Sequence, residues 1–109
     1  MNDLIRPAMY DSYHDIAPVD RSGEEFITAD VVGPICETGD YFGKDRTLAR
    51  PESGDYLAVK SAGAYGMAMA SQYNAFPRPA EVLVNGDSST VVRKRESHED
   101  LWQGEPEFS

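Results

Sequence analysis

The sequence predicts a mainly β domain of the α+β class with one short helix. Three observations lead to this class. The run FITADVVGPIC, residues 26–36, is rich in β-branched residues and predicts a strand. Two further runs, AEVLVN and STVVRKR, are joined through Asn-Gly-Asp, which is typical of a hairpin. Residues 65–73 combine Ala and Met at a density that favours a helix.

The N-terminal part predicts little regular structure. Because Pro7 favours extended geometry in the residues before it, we expect residues 1–14 to form an irregular start and a short strand that carries Tyr10 and Tyr13. Residues 16–26 are rich in turn-forming side chains and predict a surface loop.

The next segment predicts a buried strand followed by a long loop. Residues 26–36 should be mostly buried, with a bend or bulge at Gly33 and Pro34 before the single cysteine. Residues 37–55 contain three glycines, a proline and many charges, which favours a long exposed connection. Long connections in small domains are often functional.

The second half predicts a strand, the helix and the hairpin. A strand that starts at Tyr56 leads through the motif GAYG into the helix, which Asn74 and Pro77 should end. The hairpin completes a β domain over residues 1–95. Residues 96–109 form a polar, acidic tail whose last residues should be mobile.

Composition excludes several classes of function. Nineteen acidic and ten basic side chains give a net charge of −9, so nucleic acid is not expected as a partner, despite the basic run at 93–95. No apolar run of about 18 residues and no secretion signal are present, which predicts a cytoplasmic protein without a membrane span. One cysteine forms no internal disulfide, and no Cys/His cluster has zinc-ligand spacing, so no metal is expected.

Cys36 ends the first apolar run and directly precedes Glu37. A lone cysteine in such a place is commonly a small buried residue. The carboxylates of Glu37 and Asp40 disfavour a thiolate, however, whereas nucleophilic cysteines have positive neighbours. If Cys36 takes part in chemistry, a proton donor therefore fits best. A bend between Pro34 and Gly39 would let the thiol and Glu37 serve one pocket, which a regular strand would not.

A Cys-His hydrolase is the competing interpretation, because His14 and His98 could act as bases. His14 lies beside tyrosines and His98 lies among acids in the tail, so a structural or solvent-exposed place is favoured for both. No group marks an oxyanion hole.

Three other side chains are candidates for holding anions. Tyr65 stands within GAYG, either as an aromatic packed on a sheet or as a phenol presented to an anion at the start of a helix. Arg6 and Tyr10 lie four residues apart around Pro7 and could hold a carboxylate. The residues alone leave these alternatives open.

Taken together, four blocks resemble the C-terminal region of the diaminopimelate decarboxylases over about residues 5–95. The blocks are RPAMYDSYH, VVGPICETGD, GDYLAVKSAGAYGMAMASQYN and PRPAEVLV, in this order. That family belongs to the alanine racemase-like, fold type III pyridoxal phosphate enzymes, whose (β/α)8 barrel carries the cofactor and whose C-terminal β domain, barrel-like or sandwich-like, completes the site. Related ornithine decarboxylases carry Cys-Asp and Gly-Ala-Tyr-Thr instead of CETGD and GAYG.

The resemblance implies a role for each candidate. Cys36 matches the catalytic cysteine, which acts across a homodimer interface and delivers a proton after CO2 leaves. Glu37 matches an acid that binds the distal ammonium group of meso-diaminopimelate, and Arg6 and Tyr10 match side chains that hold its distal carboxylate. Tyr65 matches a tyrosine that contacts the cofactor phosphate and the substrate. The implied reaction yields L-lysine and CO2 and belongs to lysine biosynthesis.

The sequence departs from that family by lacking the barrel and the lysine that holds pyridoxal 5'-phosphate. None of Lys44, Lys60 and Lys94 lies in a segment like the family's cofactor-lysine motif. We therefore expect an incomplete β domain that contributes half of an active site and is inactive alone, with the barrel supplied in cis or in trans. The alternatives are a stand-alone β domain that binds a partner or a small ligand, and a related ornithine or lysine decarboxylase.

Overall fold

The computed structural model describes residues 1–20 and 25–107. Within these ranges the strands form three antiparallel pairs, and two short α-helices and two 3-10 helices, Tyr73–Ala75 and Glu99–Trp102, accompany them. The mainly β class predicted from the sequence is confirmed. The elements are α1 (Arg6–Tyr10), β1 (Ile16–Pro18), β2 (Phe26–Val32), β3 (Tyr41–Ala49), β4 (Leu57–Val59), α2 (Gly66–Met69), β5 (Glu81–Asn85) and β6 (Ser88–Arg93).

Helix α1 takes the place of the extended start and short strand expected near Pro7, so that prediction was wrong. A proline is tolerated in the first turn of a helix, because the N–H that it lacks has no helical partner there. Pro7 is fully buried, and its carbonyl accepts a hydrogen bond from the Tyr41 hydroxyl at 3.1 Å. The helix ends at Asp11, whose left-handed backbone (φ 53°) directs its N–H to the Arg6 carbonyl.

Strand β1 lies in the segment that was expected to be a loop. It pairs with β4, with Ile16 opposite Val59, and Ile16 is 7% exposed. The prediction of a surface loop over 16–26 was therefore wrong at its start, because a distant strand satisfies the backbone there. Part of the same prediction falls on residues 21–24, which lie outside the described residues.

The pair β2–β3 corrects the prediction of a long exposed connection over 37–55. Residues Tyr41–Ala49 form a nine-residue strand against β2. The register shifts between Ala29 and Val31, and at this point Asp45 (φ 52°) donates its backbone N–H to Asp30 Oδ1 at 2.8 Å. The irregularity breaks the two-residue period of the strand, so its charged residues resemble those of a loop.

The predicted helix over 65–73 is confirmed only in its first half, which is α2. It ends at Met69, because Ala70 is already extended (ψ 148°). Asn74 and Ala75, with positive φ angles of 60° and 59°, belong to the separate 3-10 turn that follows. Beyond the turn, the predicted hairpin is confirmed as β5 and β6. The hairpin turns at Gly86, whose φ of 59° suits a glycine at the first central position of a tight turn.

The buried core lies in the first half of the chain and does not extend to the hairpin. Leu83 and Val84 of β5 are 60% and 68% exposed. The radius of gyration is 16.2 Å, compared with about 13 Å for a compact domain of this length. No helix in the described ranges is long and apolar enough to cross a membrane. The buried apolar side chains are Leu4, Ile16, Ile35 and Leu48, with Pro7.

Candidate active site

Cys36 and Glu37 lie on the tight loop 33–40 between β2 and β3. The Gly33 N–H donates to the Asp40 carbonyl at 2.8 Å, and the Asp40 N–H donates to the Glu37 carbonyl at 3.0 Å, so the loop closes on itself. Ile35 turns into the core, whereas Cys36 and Glu37 are exposed. The predicted bend is present, and the interpretation of Cys36 as a buried spacer was wrong.

Asp40 is the buried acid of the loop, although the sequence marked it only as a neighbour of Cys36. It is 4% exposed, its Oδ2 accepts the Ile35 N–H at 2.8 Å, and its Oδ1 faces the ammonium group of Met1. Burial raises the pKa of Asp40, but the bonds from that ammonium group and from Ile35 outweigh it and lower the pKa below its usual value. Glu37 is left as the exposed acid next to Cys36.

Gly33 is the second loop residue that the sequence did not mark as functional. A Cβ built on Gly33 would lie 2.2 Å from Asp40 Oδ2, so only a glycine leaves room for this carboxylate. The Gly-Pro at one end of the loop and the Gly-Asp at the other were the only signals in the sequence. The spacing of these residues in the sequence does not reveal that the Asp40 carboxylate packs against Gly33.

Helix α1 packs beside this loop. A Cβ built on Gly39 would lie 3.6 Å from the Cβ of Ala8, an ordinary contact distance. The bond from Tyr41 to the Pro7 carbonyl fixes the same helix to the start of β3. Helix α1 carries Arg6 and Tyr10, so two predicted binding residues are placed on an element next to the loop of Cys36. The Tyr10 side chain is 61% exposed.

Arg6 and Tyr65 are in contact. The guanidinium carbon of Arg6 lies 4.8 Å from the centre of the Tyr65 ring, a cation–π distance. Tyr65 directly precedes α2 and is 53% exposed, which excludes a ring packed into a sheet. Helix α2 has four residues, so its dipole adds little at Tyr65. The positive charge beside the phenol comes from Arg6.

The five predicted site residues surround α1 without forming a closed pocket. Over residues 1–20 and 25–107, no hydrogen bond or ion pair joins Cys36 or Glu37 to Arg6, Tyr10 or Tyr65. Two surface cavities of about 560 and 350 Å³ are lined by none of the five. The candidate site therefore lies outside both of these cavities.

Neither histidine pairs with Cys36 in the described part of the chain. His14 is 3% exposed, and its Nδ1 lies 3.0 Å from the Lys60 carbonyl, which makes this nitrogen the donor. His98 lines the larger cavity, and Cys36 is not among the residues that line it. The described residues therefore contain no Cys-His pair that would support the hydrolase interpretation. No cluster of His, Cys, Asp and Glu within the described ranges could hold a metal ion.

Comparison with known proteins finds relatives over most of the chain. The model of the pyridoxal-dependent decarboxylase C-terminal sheet domain matches residues 1–63. The diaminopimelate decarboxylase of Aquifex aeolicus is 54% identical over 99 residues, and that of Neisseria meningitidis serogroup B is 58% identical over 99 residues. Each alignment covers 91% of this chain and 24% of the relative.

Solved structures give the same result. Diaminopimelate decarboxylase from Helicobacter pylori, complexed with L-lysine, superposes with a TM-score of 0.88 at 47% identity, over 94% of this chain and 25% of that chain. The enzyme from M. jannaschii, in co-complex with L-lysine, gives 0.91 at 42% identity, over 97% and 24%. The chain spans about a quarter of the length of the relatives that it matches.

Proposed function

We propose, since the chain belongs to the C-terminal sheet domain family of the pyridoxal-dependent decarboxylases, that it supplies one side of the active site of a diaminopimelate decarboxylase. The reaction converts meso-diaminopimelate to L-lysine and CO2 in lysine biosynthesis. The cofactor-binding barrel forms the other side, in cis or in trans. We place the enzyme in the cytoplasm as a homodimer, with Cys36 acting across the dimer interface.

One observation carries the proposal, namely that three separate segments meet at helix α1. Gly39 of the loop that carries Cys36 and Glu37 lies beside Ala8 of α1, and Tyr65 contacts α1 through Arg6. Residues far apart in the chain are thereby brought to the helix: the phenol of Tyr65 lies beside the Arg6 cation, and the exposed thiol and carboxylate of Cys36 and Glu37 lie on the neighbouring loop. Such a collection of unlike polar groups suits a ligand that carries both charges.

Pyridoxal phosphate fits the residues present through its phosphate. The Tyr65 phenol is 53% exposed and can donate a hydrogen bond to a phosphate oxygen. Lys44 lies over the Tyr41 ring and Lys60 pairs with Asp15. We assign the lysine that holds the cofactor covalently to the barrel. When bound, the cofactor supplies a sink for the electron pair that CO2 leaves behind.

The charges of the chain match the distal end of meso-diaminopimelate, which carries an ammonium group and a carboxylate. Glu37 is assigned to the ammonium group, and Arg6 with the Tyr10 hydroxyl to the carboxylate. Ornithine and lysine have a distal amine but no distal carboxylate. A cation on α1 therefore favours diaminopimelate over these simpler diamino acids.

Cys36 is assigned to the proton transfer that completes the reaction. Its S–H bond breaks as a C–H bond forms at the carbon that has lost CO2, and the resulting thiolate is reprotonated from solvent. The side chain is exposed on its loop, as a donor to an external substrate must be.

A chimera tests the proposal. This chain replaces the matching C-terminal region of the Aquifex aeolicus enzyme, and CO2 release is measured with meso-diaminopimelate, ornithine and L-lysine. We expect activity with meso-diaminopimelate and at least about tenfold lower kcat/KM with the other two, because a charge-assisted bond is lost. The unmodified Aquifex enzyme is the control. A folded, cofactor-loaded chimera that releases no CO2, or that prefers ornithine, contradicts the proposal.

A further inference from the structure

The loop that presents Cys36 is held by a buried side chain to which the proposed reaction assigns no role. Asp40 lies at the end of the loop and reaches back across it, so that Oδ2 accepts the Ile35 N–H at 2.8 Å. Ile35 is the residue directly before Cys36. The carboxylate thus fixes the peptide from which the thiol side chain departs.

The loop must satisfy opposing demands at neighbouring residues. Ile35 is 9% exposed and packs in the core, whereas Cys36 and Glu37 next to it face solvent. A regular strand would place Cys36 and Glu37 on opposite faces. The backbone avoids this by a tight turn in which the Glu37 N–H donates to the Ile35 carbonyl at 2.8 Å. Asp40 holds Ile35 in this turn by accepting its N–H.

Gly33 completes the arrangement from the other end of the loop. Its backbone N–H donates to the Asp40 carbonyl, and its missing side chain leaves the space that the Asp40 carboxylate fills. Gly33 is therefore joined to Asp40 twice, through a main-chain hydrogen bond and through packing against its carboxylate, so the two ends of the loop are held together. A methyl group at position 33 would have to displace the carboxylate.

We propose that Asp40 is a positioning residue, whose carboxylate, accommodated by Gly33, holds the loop in the one conformation that presents Cys36 and Glu37 to the substrate. This inference rests on the proposed function for its catalytic consequence. It adds that proton transfer and substrate binding depend on a side chain that touches neither substrate nor cofactor. Both kinetic parameters should then change together when the carboxylate is removed.

The kinetic arm uses the chimera described above with Asp40→Ala, Asp40→Asn and Gly33→Ala. We expect Asp40→Ala and Gly33→Ala to lower kcat about tenfold to hundredfold and to raise KM for meso-diaminopimelate, because a misplaced donor loses its alignment. Asp40→Asn should be intermediate, since an amide has one acceptor oxygen where the carboxylate has two.

Two control variants separate positioning from general loss of stability. Asp87→Ala removes a carboxylate from the exposed hairpin turn, and Leu48→Ala truncates a buried side chain of β3, outside the loop. Assayed at a temperature where every variant is folded, both should keep the kcat and KM of the parent chimera. A Leu48→Ala variant that loses as much kcat as Asp40→Ala would overturn the positioning role.

The structural arm needs no decarboxylase activity. Hydrogen exchange of the Ile35 amide, followed by NMR in the 109-residue chain, reports the bond to Asp40 directly. Exchange should be at least about tenfold faster in Asp40→Ala than in Asp87→Ala, because the buried amide loses its acceptor. Unchanged exchange at Ile35 would overturn the inference.

The two arms keep this inference separate from the proposed function. An active parent chimera whose Asp40→Ala variant has unaltered kcat and KM overturns the inference alone. An inactive parent chimera overturns the proposed function, and the Ile35 exchange then still decides whether Asp40 holds the loop. Faster exchange together with lower kcat and higher KM supports both.

Discussion

Arg6 is held in place by an aromatic ring rather than by an acid. Its guanidinium group lies over Tyr65, and no carboxylate in residues 1–20 and 25–107 forms an ion pair with it. Ring contact orients a guanidinium group while leaving its charge uncompensated. The Arg6 charge is therefore available to a carboxylate from outside the chain.

This availability leads to a prediction for Arg6→Gln in the chimera. KM for meso-diaminopimelate should rise about tenfold to hundredfold, because a charge-assisted hydrogen bond to the distal carboxylate is lost. The change in kcat should be smaller, since Arg6 does not touch the reacting carbon. Steady-state kinetics check this against Arg50→Gln, which removes an exposed arginine paired with Glu25. An unchanged KM would contradict the assignment of Arg6.

Glu96 accepts a cluster of hydrogen bonds at the base of the hairpin. Arg78 donates from its side chain to Oε1 at 2.7 Å, Gln72 donates to Oε2 at 2.9 Å, and the Arg78 backbone N–H donates to Oε2 at 2.8 Å. These donors lower the pKa of Glu96 to about 2, mainly through the Arg78 side chain. The cluster links the segment after α2 to the segment after β6.

The lowered pKa predicts a pH-dependent stability. Glu96 has a pKa of about 2 in the folded chain, against an ordinary value of 4.5, so its contribution is complete above about pH 5 and is lost as the pH falls towards 2. Unfolding by urea should show wild type more stable than Glu96→Gln at neutral pH, with the difference shrinking over that window. Glu105→Gln, at an exposed carboxylate, serves as the control. A difference that stays constant with pH would exclude this role.

Elements defined by local chemistry could be predicted, whereas elements defined by distant partners could not. The hairpin follows from a glycine turn between two β-branched runs, and the bend before Cys36 follows from Gly33 and Pro34. Strand β3 could not be predicted, because the irregularity near Asp45 breaks its alternation and only Gly43 and Leu48 of its residues are buried. Helix α1 has five residues and depends on burial of its proline.

The pair β2–β3 carries part of the core, and the hairpin does not. Leu48 of β3 is 4% exposed and Leu83 of β5 is 60% exposed. Leu48→Ala should therefore lower the free energy of unfolding by about 2–4 kcal/mol. Leu83→Ala, the same truncation at an exposed site, should change it by less than about 1 kcal/mol. Urea unfolding of the two variants checks this, and equal losses would contradict the location of the core.

The candidate site was predictable in its parts but not in its assembly. Cys36 and Glu37 stand out in sequence, because an acid follows the only cysteine at the end of an apolar run. The contact between Arg6 and Tyr65 and the inward turn of Asp40 depend on folding, since no spacing along the chain encodes them. The sequence predicted two carboxylates, Glu37 and Asp40, beside the thiol. In the structure Asp40 is buried, so Glu37 is the exposed one of the two.

At the scale of the whole molecule, several surfaces are left uncovered. The chain extends 58 × 38 × 27 Å, with an exposed apolar hairpin and an open site around α1. Relatives that are about four times as long match it at high identity. The open site and the uncovered hairpin are consistent with a chain that corresponds to one portion of such relatives.

Decarboxylation by the chimera with Cys36→Ala shows whether Cys36 donates the proton. The chain has one cysteine, so this change removes its only thiol. If Cys36 is the proton donor, kcat for release of L-lysine from meso-diaminopimelate should fall by about a hundredfold or more, while KM stays close to that of the parent chimera. A variant that produces L-lysine at an undiminished rate would show that the proton comes from elsewhere.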